Sequence, residues 1–324
     1  MHAIVVGSDR QLTWSEVPTP DPGPHEVRIT VAAAGVNRAD LLQRAGLYPP
    51  PPGASELLGL ECSGTIDEVG ERVSDLAPGD PVCALLAGGG YAESVVCPAG
   101  CVLPIPEGLS VVEAAALPEV FATAWMVLCS EGQLQPGEAV LIHAAASGVG
   151  TASLQLATVL GARSFATAGG SEKLQRCVEL GASGTHDRHE GPWRDAVAQW
   201  SPNGVDVILD PVGGDYITDD QRVLAIGGRL VVIGLLGGRD AGLDLGRLLV
   251  KRQRIVGTTL RSRSAEDKAR ILTQLQRELW PRFTDGTVRP IIDQVLPIQE
   301  AEQAHALLQG NATVGKILLE VGSS

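Results

Sequence analysis

The stretch Ala139–Ala157, AVLIHAAASGVGTASLQLA, decides the fold. A short apolar run, typical of a buried strand, leads into a turn of small residues and then into an alanine-rich helical pattern. Dinucleotide sites use this succession, with the motif Gly-x-Gly-x-x-Gly between the strand and the helix. In register the motif reads Ala145-x-Ser147-x-x-Gly150, so only the third glycine is present. Small residues also occur in ordinary tight turns, so the surrounding sequence must distinguish a dinucleotide site from such a turn. The predicted anion contacts at this turn are Ser147, Gly148, Val149 and Gly150.

The chain around this turn separates into three regions. From about Pro118 to Gly257, apolar strands such as RSFATAG, VDVILD and RLVVIGLL alternate with helix-length segments. This alternation predicts a doubly wound parallel sheet with crossover helices. Before it, short alternating runs broken by Gly and Pro predict a β-rich, barrel-like domain, and the segment after Arg261 is expected to complete that domain. The predicted domains are 1–117 with 261–324, and 118–260.

Charge and hydropathy limit the partners. The chain has 25 basic and 38 acidic residues, for a net charge of −13. An acidic surface of this size disfavours nucleic acid and anionic membranes as partners. No uncharged apolar segment approaches the roughly 20 residues of a membrane span, and the N-terminal apolar run is too short for a signal peptide. We expect a soluble, cytoplasmic protein.

The six cysteines do not predict a metal site. Only Cys97 and Cys101 lie close together in the sequence, and no second pair completes a four-ligand zinc site. We expect reduced, mostly buried thiols, as is usual in a reducing compartment.

The segment after RSFATA predicts the cofactor. An NAD site usually offers a carboxylate to the ribose about 20 residues after the glycine motif. Here the strand ends in Gly169-Gly170-Ser171-Glu172-Lys173, which leaves space and offers Ser171 and Lys173 to a phosphate, with Arg188 as a second cation. The alternative is that these cations are ordinary solvated charges. The pattern favours NADPH over NADH, with predicted contacts at Gly170, Ser171, Lys173 and Arg188.

Several motifs together resemble a known family. NRADLLQRAGLYPPPPGA, LGLECSG, LIHAAASGVGTASLQLA and NATVGKILLEV follow one another in the order found in medium-chain dehydrogenase/reductases, within the zeta-crystallin-like quinone oxidoreductase branch. The resemblance implies a GroES-like catalytic domain and a Rossmann-type cofactor domain, with the nicotinamide held between them. It also implies a homodimer in which an edge strand near Ile255–Thr259 pairs with its copy.

The resemblance carries residue roles to this sequence. Asn37 and Thr123 would flank the nicotinamide, and Val212 would pass near the adenosine. Tyr48, in the stiff LYPPPPG loop, is the candidate for orienting or protonating the acceptor oxygen, and its alternative role is loop packing. Asn37 and Tyr48 are the predicted catalytic residues. The implied cofactor contacts are Asn37, Thr123, Val212, Gly234, Leu235, Leu236, Gly237, Arg261 and Asn311.

The same resemblance raises the question of zinc. The Gly-His-Glu of zinc alcohol dehydrogenases is Gly59-Leu60-Glu61 here, and their first ligand cysteine falls near Val36-Asn37. Leucine cannot ligate a metal, so no metal is predicted. A quinone or an activated enone accepts hydride without a Lewis acid, and we therefore expect an NADPH-dependent quinone reductase. The alternatives are a reductase of α,β-unsaturated carbonyls or enoyl thioesters, and a cofactor-binding, non-enzymatic crystallin-like protein.

Overall fold

The computed structural model describes residues 1–322, which form two compact units along the chain. One unit contains Met1–Ala122 together with the chain from Leu260 onward, and the other contains Thr123–Thr259. These divisions lie close to the expected ones, after Ala122 in place of residue 117 and after Thr259 in place of residue 260.

The elements are given in chain order. The strands are β1 (His2–Val6), β2 (Leu12–Glu16), β3 (Glu26–Gly35), β4 (Glu61–Val69), β5 (Pro81–Leu85), β6 (Ser94–Pro98), β7 (Val102–Pro104), β8 (Ala139–Ile142), β9 (Arg163–Ala168), β10 (Gly184–Asp187), β11 (Val205–Asp210), β12 (Leu224–Val232), β13 (Arg254–Gly257), β14 (Ile292–Pro297) and β15 (Lys316–Glu320). The α-helices are α1 (Arg38–Arg44), α2 (Val111–Ala114), α3 (Pro118–Trp125), α4 (Gly148–Val159), α5 (Ser171–Glu179), α6 (Trp193–Trp200), α7 (Tyr216–Val223), α8 (Leu245–Val250), α9 (Ala265–Thr284) and α10 (Ala301–Gln309).

The first unit is built on a seven-stranded sheet. Its order is β14-β15-β3-β4-β5-β7, with β6 also paired to β3, and β1 and β2 form a separate hairpin. β15 lies antiparallel to β3, so the C-terminal segment supplies two strands to a sheet that the N-terminal segment begins. The alternating pattern predicted the β-rich character of this unit, and its strands carry buried aliphatic side chains such as Val27, Ile29 and Ile66.

The second unit is a six-stranded parallel sheet. Its order is β10-β9-β8-β11-β12-β13, in which the first strand along the chain lies at the centre and the direction of winding reverses between β8 and β11. This is the order of dinucleotide-binding folds, whose ligand lies outside the carboxyl ends of the strands at that reversal. The predicted doubly wound sheet is confirmed. Leu141, Ile208 and Leu230 are fully buried in its core.

One helical segment is long and apolar enough to cross a membrane by length and composition alone. It spans the 21 residues Val111–Glu131, and 78% of its most apolar window is buried inside the protein. In the first unit Phe121 packs edge-on against Phe283, with ring centroids 5.0 Å apart. Burial of this extent is what a core helix shows.

The six cysteines, all within residues 1–322, carry reduced thiols, as expected. Five are buried and Cys129 is partly exposed. Burial raises the pKa of the Cys177 thiol to about 12, so this side chain behaves as an inert apolar group.

Candidate functional site

The turn between β8 and α4 has the geometry of an anion-binding helix start. Ser147 is the N-cap of α4, and its hydroxyl accepts a hydrogen bond of 3.1 Å from the amide of Gly150. The amides of Gly148 and Val149 make no hydrogen bond to any residue in the range 1–322. A first-turn amide in this position can donate to a pyrophosphate.

Gly150 is required by the packing of the helix against the strand. A Cβ at this position would lie 2.5 Å from the carbonyl oxygen of Ala145 and 2.6 Å from that of Ala144. Ala144 takes a positive φ of 48°, so the sharp turn forms without the first two glycines of the motif. The residues present therefore fit a dinucleotide, because the glycine needed for packing is kept and the other two are replaced by small side chains.

Asp210, which the sequence analysis missed, shapes the loop across the reversal point. It lies at the end of β11, is fully buried, and accepts hydrogen bonds of 2.6 Å from the amide of Val212 and 3.0 Å from that of Gly213. The signal in the sequence is the Asp in DPVGG, because a buried Asp before a glycine turn commonly accepts from the next amides.

The loops after β11 and β12 meet backbone to backbone. The amide of Gly237 donates to Val212 O at 2.7 Å, and Gly213 and Gly238 form an isolated parallel bridge. A Cβ at Gly234 would lie 2.6 Å from Pro211 O, so this contact also needs a glycine. Leu235 and Leu236 are each 55% exposed at the tip. Val212 and the segment 234–237 thus lie together, as an apolar edge suited to a ring system.

The predicted phosphate site contains a carboxylate that the sequence analysis did not expect. Asp187, at the end of β10, accepts a hydrogen bond of 2.8 Å from the amide of Gly170 and pairs with His189 Nδ1 at 3.0 Å. Hydrogen bonding, first from the amide of His189, lowers the pKa of Asp187. The tip of β9 itself carries no carboxylate, but the neighbouring strand brings one beside it.

The predicted cations lie around the same corner. Gly170 has a φ of 89° and is the N-cap of α5, which begins at Ser171. Arg188 directly follows Asp187 and is exposed, and a Cβ at Gly169 would lie 3.0 Å from its Nε. Lys173 lies in the first turn of α5. Their contacts with a phosphate stay a prediction, as does the place of Thr123, which is buried in α3.

In the first unit, Lys316 connects the predicted residue Asn37 to Glu61. The ammonium lies 2.7 Å from Glu61 Oε1, and it donates at 2.7 Å to both Asn37 Oδ1 and Val36 O. Asn37 Nδ2 donates to Glu61 Oε1 at 3.0 Å and to Gly35 O at 3.2 Å. Lys316 and Glu61 are almost fully buried, so this is a satisfied internal ion pair.

This ion pair lies where the resemblance compares metal ligands. Glu61 follows Leu60, which is 1% exposed, and its charge is met by the Lys316 ammonium. Asn37 offers an amide in place of a thiolate, and both of its N–H donors are used by the protein. Among residues 1–322, no three His, Cys, Asp or Glu side chains are grouped so that they could hold a metal ion.

A second polar chain supports α1. Asp40 accepts from the amide of Asn37 at 2.8 Å, from that of Gly59 at 3.0 Å and from Tyr91 Oη at 3.2 Å. Burial raises the pKa of Asp40 to about 6. Tyr91 Oη also lies 3.3 Å from Nε2 of His305, whose pKa burial lowers to about 4. This network fixes the start of the helix that carries Asn37 at its N-cap.

Glu119 is a titratable group beside the Lys316 pair that the sequence analysis did not single out. Its amide donates to Glu61 Oε2 at 2.9 Å, and its own Oε2 is buried with no hydrogen-bond partner in the described chain. Burial, and then the charge of Glu61, raise the pKa of Glu119 to about 8. Glu119 therefore carries a proton at neutral pH.

Tyr48 is held by Arg261 in the first unit. Arg261 Nη1 donates to Tyr48 O at 3.3 Å, and its guanidinium carbon lies 5.3 Å from the centroid of the Tyr48 ring. Arg261 Nε donates to Ala87 O at 2.9 Å, and its Nη2 donates to Gln43 Oε1 at 2.7 Å. Asn311, with a φ of 54°, accepts from Arg38 Nη2 at 2.6 Å. The contacts of Arg261 are thus with the protein itself, while its predicted role toward the cofactor stays untested.

One histidine has a built environment in the second unit, although no histidine was expected to be functional. His143, at the end of β8, lies between Thr167 Oγ1 at 2.8 Å and Asp220 Oδ1 at 2.9 Å. Trp193 and Tyr216 pack edge-on against its ring. Because its side chain is fully buried, His143 organises the core below the turn.

The comparisons with known proteins agree with this architecture. Residues 23–107 match the alcohol dehydrogenase GroES-like domain, and residues 148–276 match the zinc-binding dehydrogenase domain. The chain is 32% identical over 310 residues to the quinone oxidoreductase of Mus musculus, covering 94% of this chain and 92% of that protein. The chain belongs to the medium-chain dehydrogenase/reductase family. The predicted GroES-like domain and Rossmann-type sheet are confirmed.

Other proteins similar to this chain have names that point to different roles. The synaptic vesicle membrane protein VAT-1 homolog of Rattus norvegicus is 34% identical over 320 residues, covering 94% of this chain and 78% of that protein. Among solved structures, an NAD-dependent alcohol dehydrogenase has a TM-score of 0.85 and 32% identity, covering 99% of this chain and 100% of that one. The CurK enoyl reductase has a TM-score of 0.84 and 30% identity, covering 99% of each chain. This chain is therefore an oxidoreductase of the family with a nicotinamide cofactor, NAD(P).

Proposed function

We propose that this protein is an NADPH-dependent quinone reductase that works without zinc. The observation that carries the proposal is the Lys316–Glu61–Asn37 cluster, in which an ammonium ion and an amide use the carboxylate that a metal site would need. An alcohol needs a strong Lewis acid or base to release its hydride, whereas a quinone accepts hydride readily. The similarity to the quinone oxidoreductase of Mus musculus supports the same acceptor class.

Each predicted site residue has a role in this proposed reaction. A bound reduced nicotinamide supplies the hydride. Ser147 and the amides that follow it hold the pyrophosphate, and Lys173 and Arg188 face the 2′-phosphate of NADPH. Asn37, fixed by Lys316, gives the nicotinamide a rigid polar neighbour, and Tyr48 orients the acceptor oxygen. We further propose a small-molecule acceptor, cytoplasmic action and no nucleic acid or membrane partner, which fits the net charge of −13.

A second candidate function is the reduction of α,β-unsaturated carbonyls, including enoyl thioesters. The similarity to the CurK enoyl reductase favours it, at 30% identity over 99% of the chain. Both reactions deliver hydride to a conjugated acceptor and leave negative charge on an oxygen, so the same residues serve either one.

The two candidates are separated by an acceptor panel. NADPH oxidation is measured with quinones, simple enones and enoyl thioesters, and kcat/KM is compared for each class. We expect the highest kcat/KM with quinones. A higher kcat/KM with enones or enoyl thioesters would replace the first proposal with the second. NADPH binding without oxidation by any acceptor would contradict both.

A further inference from the structure

Arg261 is a buried arginine whose charge no carboxylate pairs within the described chain. Arg261 is 3% exposed. Its guanidinium donates to three neutral acceptors, Ala87 O, Tyr48 O and Gln43 Oε1. Burial lowers the pKa of Arg261, but a guanidinium stays charged in a protein. A buried charge without a counter-ion destabilises the folded protein, so we expect Arg261 to have a functional role.

Within residues 1–322, the charged groups around Arg261 do not form an ion pair with its guanidinium. The carboxyl groups of Asp40 and Glu119 act on it only through space, and Glu119 holds a proton at neutral pH. Asp40 is already engaged by its own donors, and the cation Lys268 also faces Arg261. The ring of Tyr48, 5.3 Å away, is the group over which the guanidinium lies.

The contacts of Arg261 also fix the loop that carries Tyr48. Its three hydrogen bonds connect three segments: Gln43 of α1 at 2.7 Å, Tyr48 of the LYPPPPG loop at 3.3 Å, and Ala87 at 2.9 Å. Pro49 to Pro52 follow Tyr48 directly, and each proline fixes its own φ. The loop is stiff by its sequence and is anchored at its start by one side chain.

We propose that Arg261 is a positioning residue for Tyr48 and that its charge allows the Tyr48 phenol to give a proton to the reduced acceptor. This inference rests on the proposed function. When the acceptor has gained a hydride with its two electrons, its oxygen carries negative charge. The O–H bond of Tyr48 then breaks and a new O–H bond forms on that oxygen. The phenolate, stabilised by the guanidinium, regains its proton from water, so one acceptor consumes one NADPH and one proton.

The first test follows the phenol and needs no turnover. The sequence has only three tyrosines, Tyr48, Tyr91 and Tyr216, so an ultraviolet difference titration of wild type minus Tyr48→Phe isolates one phenol. We expect the Tyr48 midpoint to rise by about one pH unit or more in Arg261→Gln, and by less in Arg261→Lys, which keeps the charge. An unchanged midpoint in Arg261→Gln would overturn the inference, whatever the enzyme reduces.

The second test uses kinetics and cofactor binding. We expect Arg261→Gln to lower kcat about tenfold, Tyr48→Phe to do the same, and the double variant to be no worse than either single one. NADPH affinity should stay unchanged. A large loss of NADPH affinity would overturn the inference and return Arg261 to the cofactor site. Arg277→Gln, at an exposed arginine of the same unit, is the control, and Arg261→Lys serves if Arg261→Gln does not fold.

Discussion

At the residue scale, Lys316 explains why a charged group survives in the core of the first unit. Its ammonium has three hydrogen-bonding protons, and Glu61, Asn37 and Val36 take one each. An ion pair of this kind contributes little compared with apolar packing, but removing one partner leaves the other buried and uncompensated. Its value to the protein therefore lies in fixing Asn37.

We predict that Lys316→Met lowers the free energy of unfolding by about 3–5 kcal/mol, because Glu61 loses its counter-ion. Urea unfolding followed by circular dichroism measures the change. The matched control is the double variant Lys316→Met/Glu61→Gln, which removes both charges and should recover much of the loss. A loss below about 1 kcal/mol in the single variant would contradict the ion-pair account.

These residue contacts mark the limit of what the sequence predicts. Asn37 and Tyr48 were identified through family motifs, because those motifs are local in sequence. The partner of Asn37 lies 279 positions away, so nothing local in the sequence connects Lys316 with it. Asp187 was missed for the same reason, since β10 approaches β9 only through the sheet.

At the element scale, the start of α3 carries a pH-dependent contribution to stability. Glu119 has a pKa of about 8 in the folded protein, against an ordinary value of 4.5. Between these values the folded protein holds a proton that the unfolded chain has released, so stability falls as the pH rises. The other raised carboxyls, Asp40 and Asp220, have pKa values of about 6. The ordinary pKa of His305 is 6.5, so between pH 6.5 and pH 8 we assign the pH dependence of stability to Glu119.

We predict that the melting temperature of the wild type falls as the pH rises through this window and that Glu119→Gln flattens the slope. For one proton, the free energy of unfolding changes by at most about 1.4 kcal/mol per pH unit. Thermal unfolding in a series of buffers measures it. The control is Glu107→Gln, at an exposed carboxylate of the same unit, which should keep the slope of the wild type. An identical slope in Glu119→Gln would show that another group titrates.

We propose that the turns after β9 and β10 in the second unit set the cofactor preference. We predict that NADPH binds more tightly than NADH, and that Lys173→Ala and Arg188→Ala each reduce the affinity for NADPH about tenfold, since a charge-assisted phosphate contact is worth roughly 1.5–3 kcal/mol. NADH affinity should hardly change. Titration of both nucleotides gives the result, and Arg176→Ala on the same helix is the control. Equal affinity of the wild type for both nucleotides would contradict the prediction and would make Asp187 the decisive group.

The elements themselves follow closely from the sequence. Five apolar runs became β8, β9, β11, β12 and β13, because a strand buried in the middle of a sheet reads as a continuous apolar segment. β10, with the sequence GTHD, is a partly exposed edge strand without such a run. The charged segment SAEDKARILTQLQRELW became most of α9, whose buried side recurs at helical spacing through Ile271, Leu275 and Leu279. What the pattern could not provide was the pairing of β14 and β15 with each other, which depends on the tertiary register.

At the scale of the whole molecule, one edge of the parallel sheet is suited to association. β13 pairs with β12 on one side and ends the sheet. Beside it, Ile226, Leu249 and Val250 are 64%, 76% and 79% exposed, and α8 has no buried residue. An exposed apolar edge strand invites pairing, and a two-fold pair of such edges removes both. We propose a homodimer across this edge, near the expected Ile255–Thr259.

We predict that sedimentation at micromolar concentration finds a dimer and that Leu249→Glu/Val250→Glu converts it to a monomer, because two carboxylates would be buried in the interface. Val178→Glu, at an exposed apolar residue elsewhere in the same unit, is the control and should remain dimeric. A wild-type monomer would contradict the proposal, and so would a dimer that the double variant leaves intact.

The whole account depends on hydride transfer from NADPH without a metal. The most direct measurement is the rate of NADPH oxidation with a quinone acceptor, by protein treated with a strong chelator and by the same protein after zinc is added back. We predict turnover that the chelator does not reduce and zinc does not raise, because Leu60, Asn37 and the Lys316–Glu61 pair leave no set of metal ligands. Loss of turnover on chelation, restored by zinc, would contradict the account.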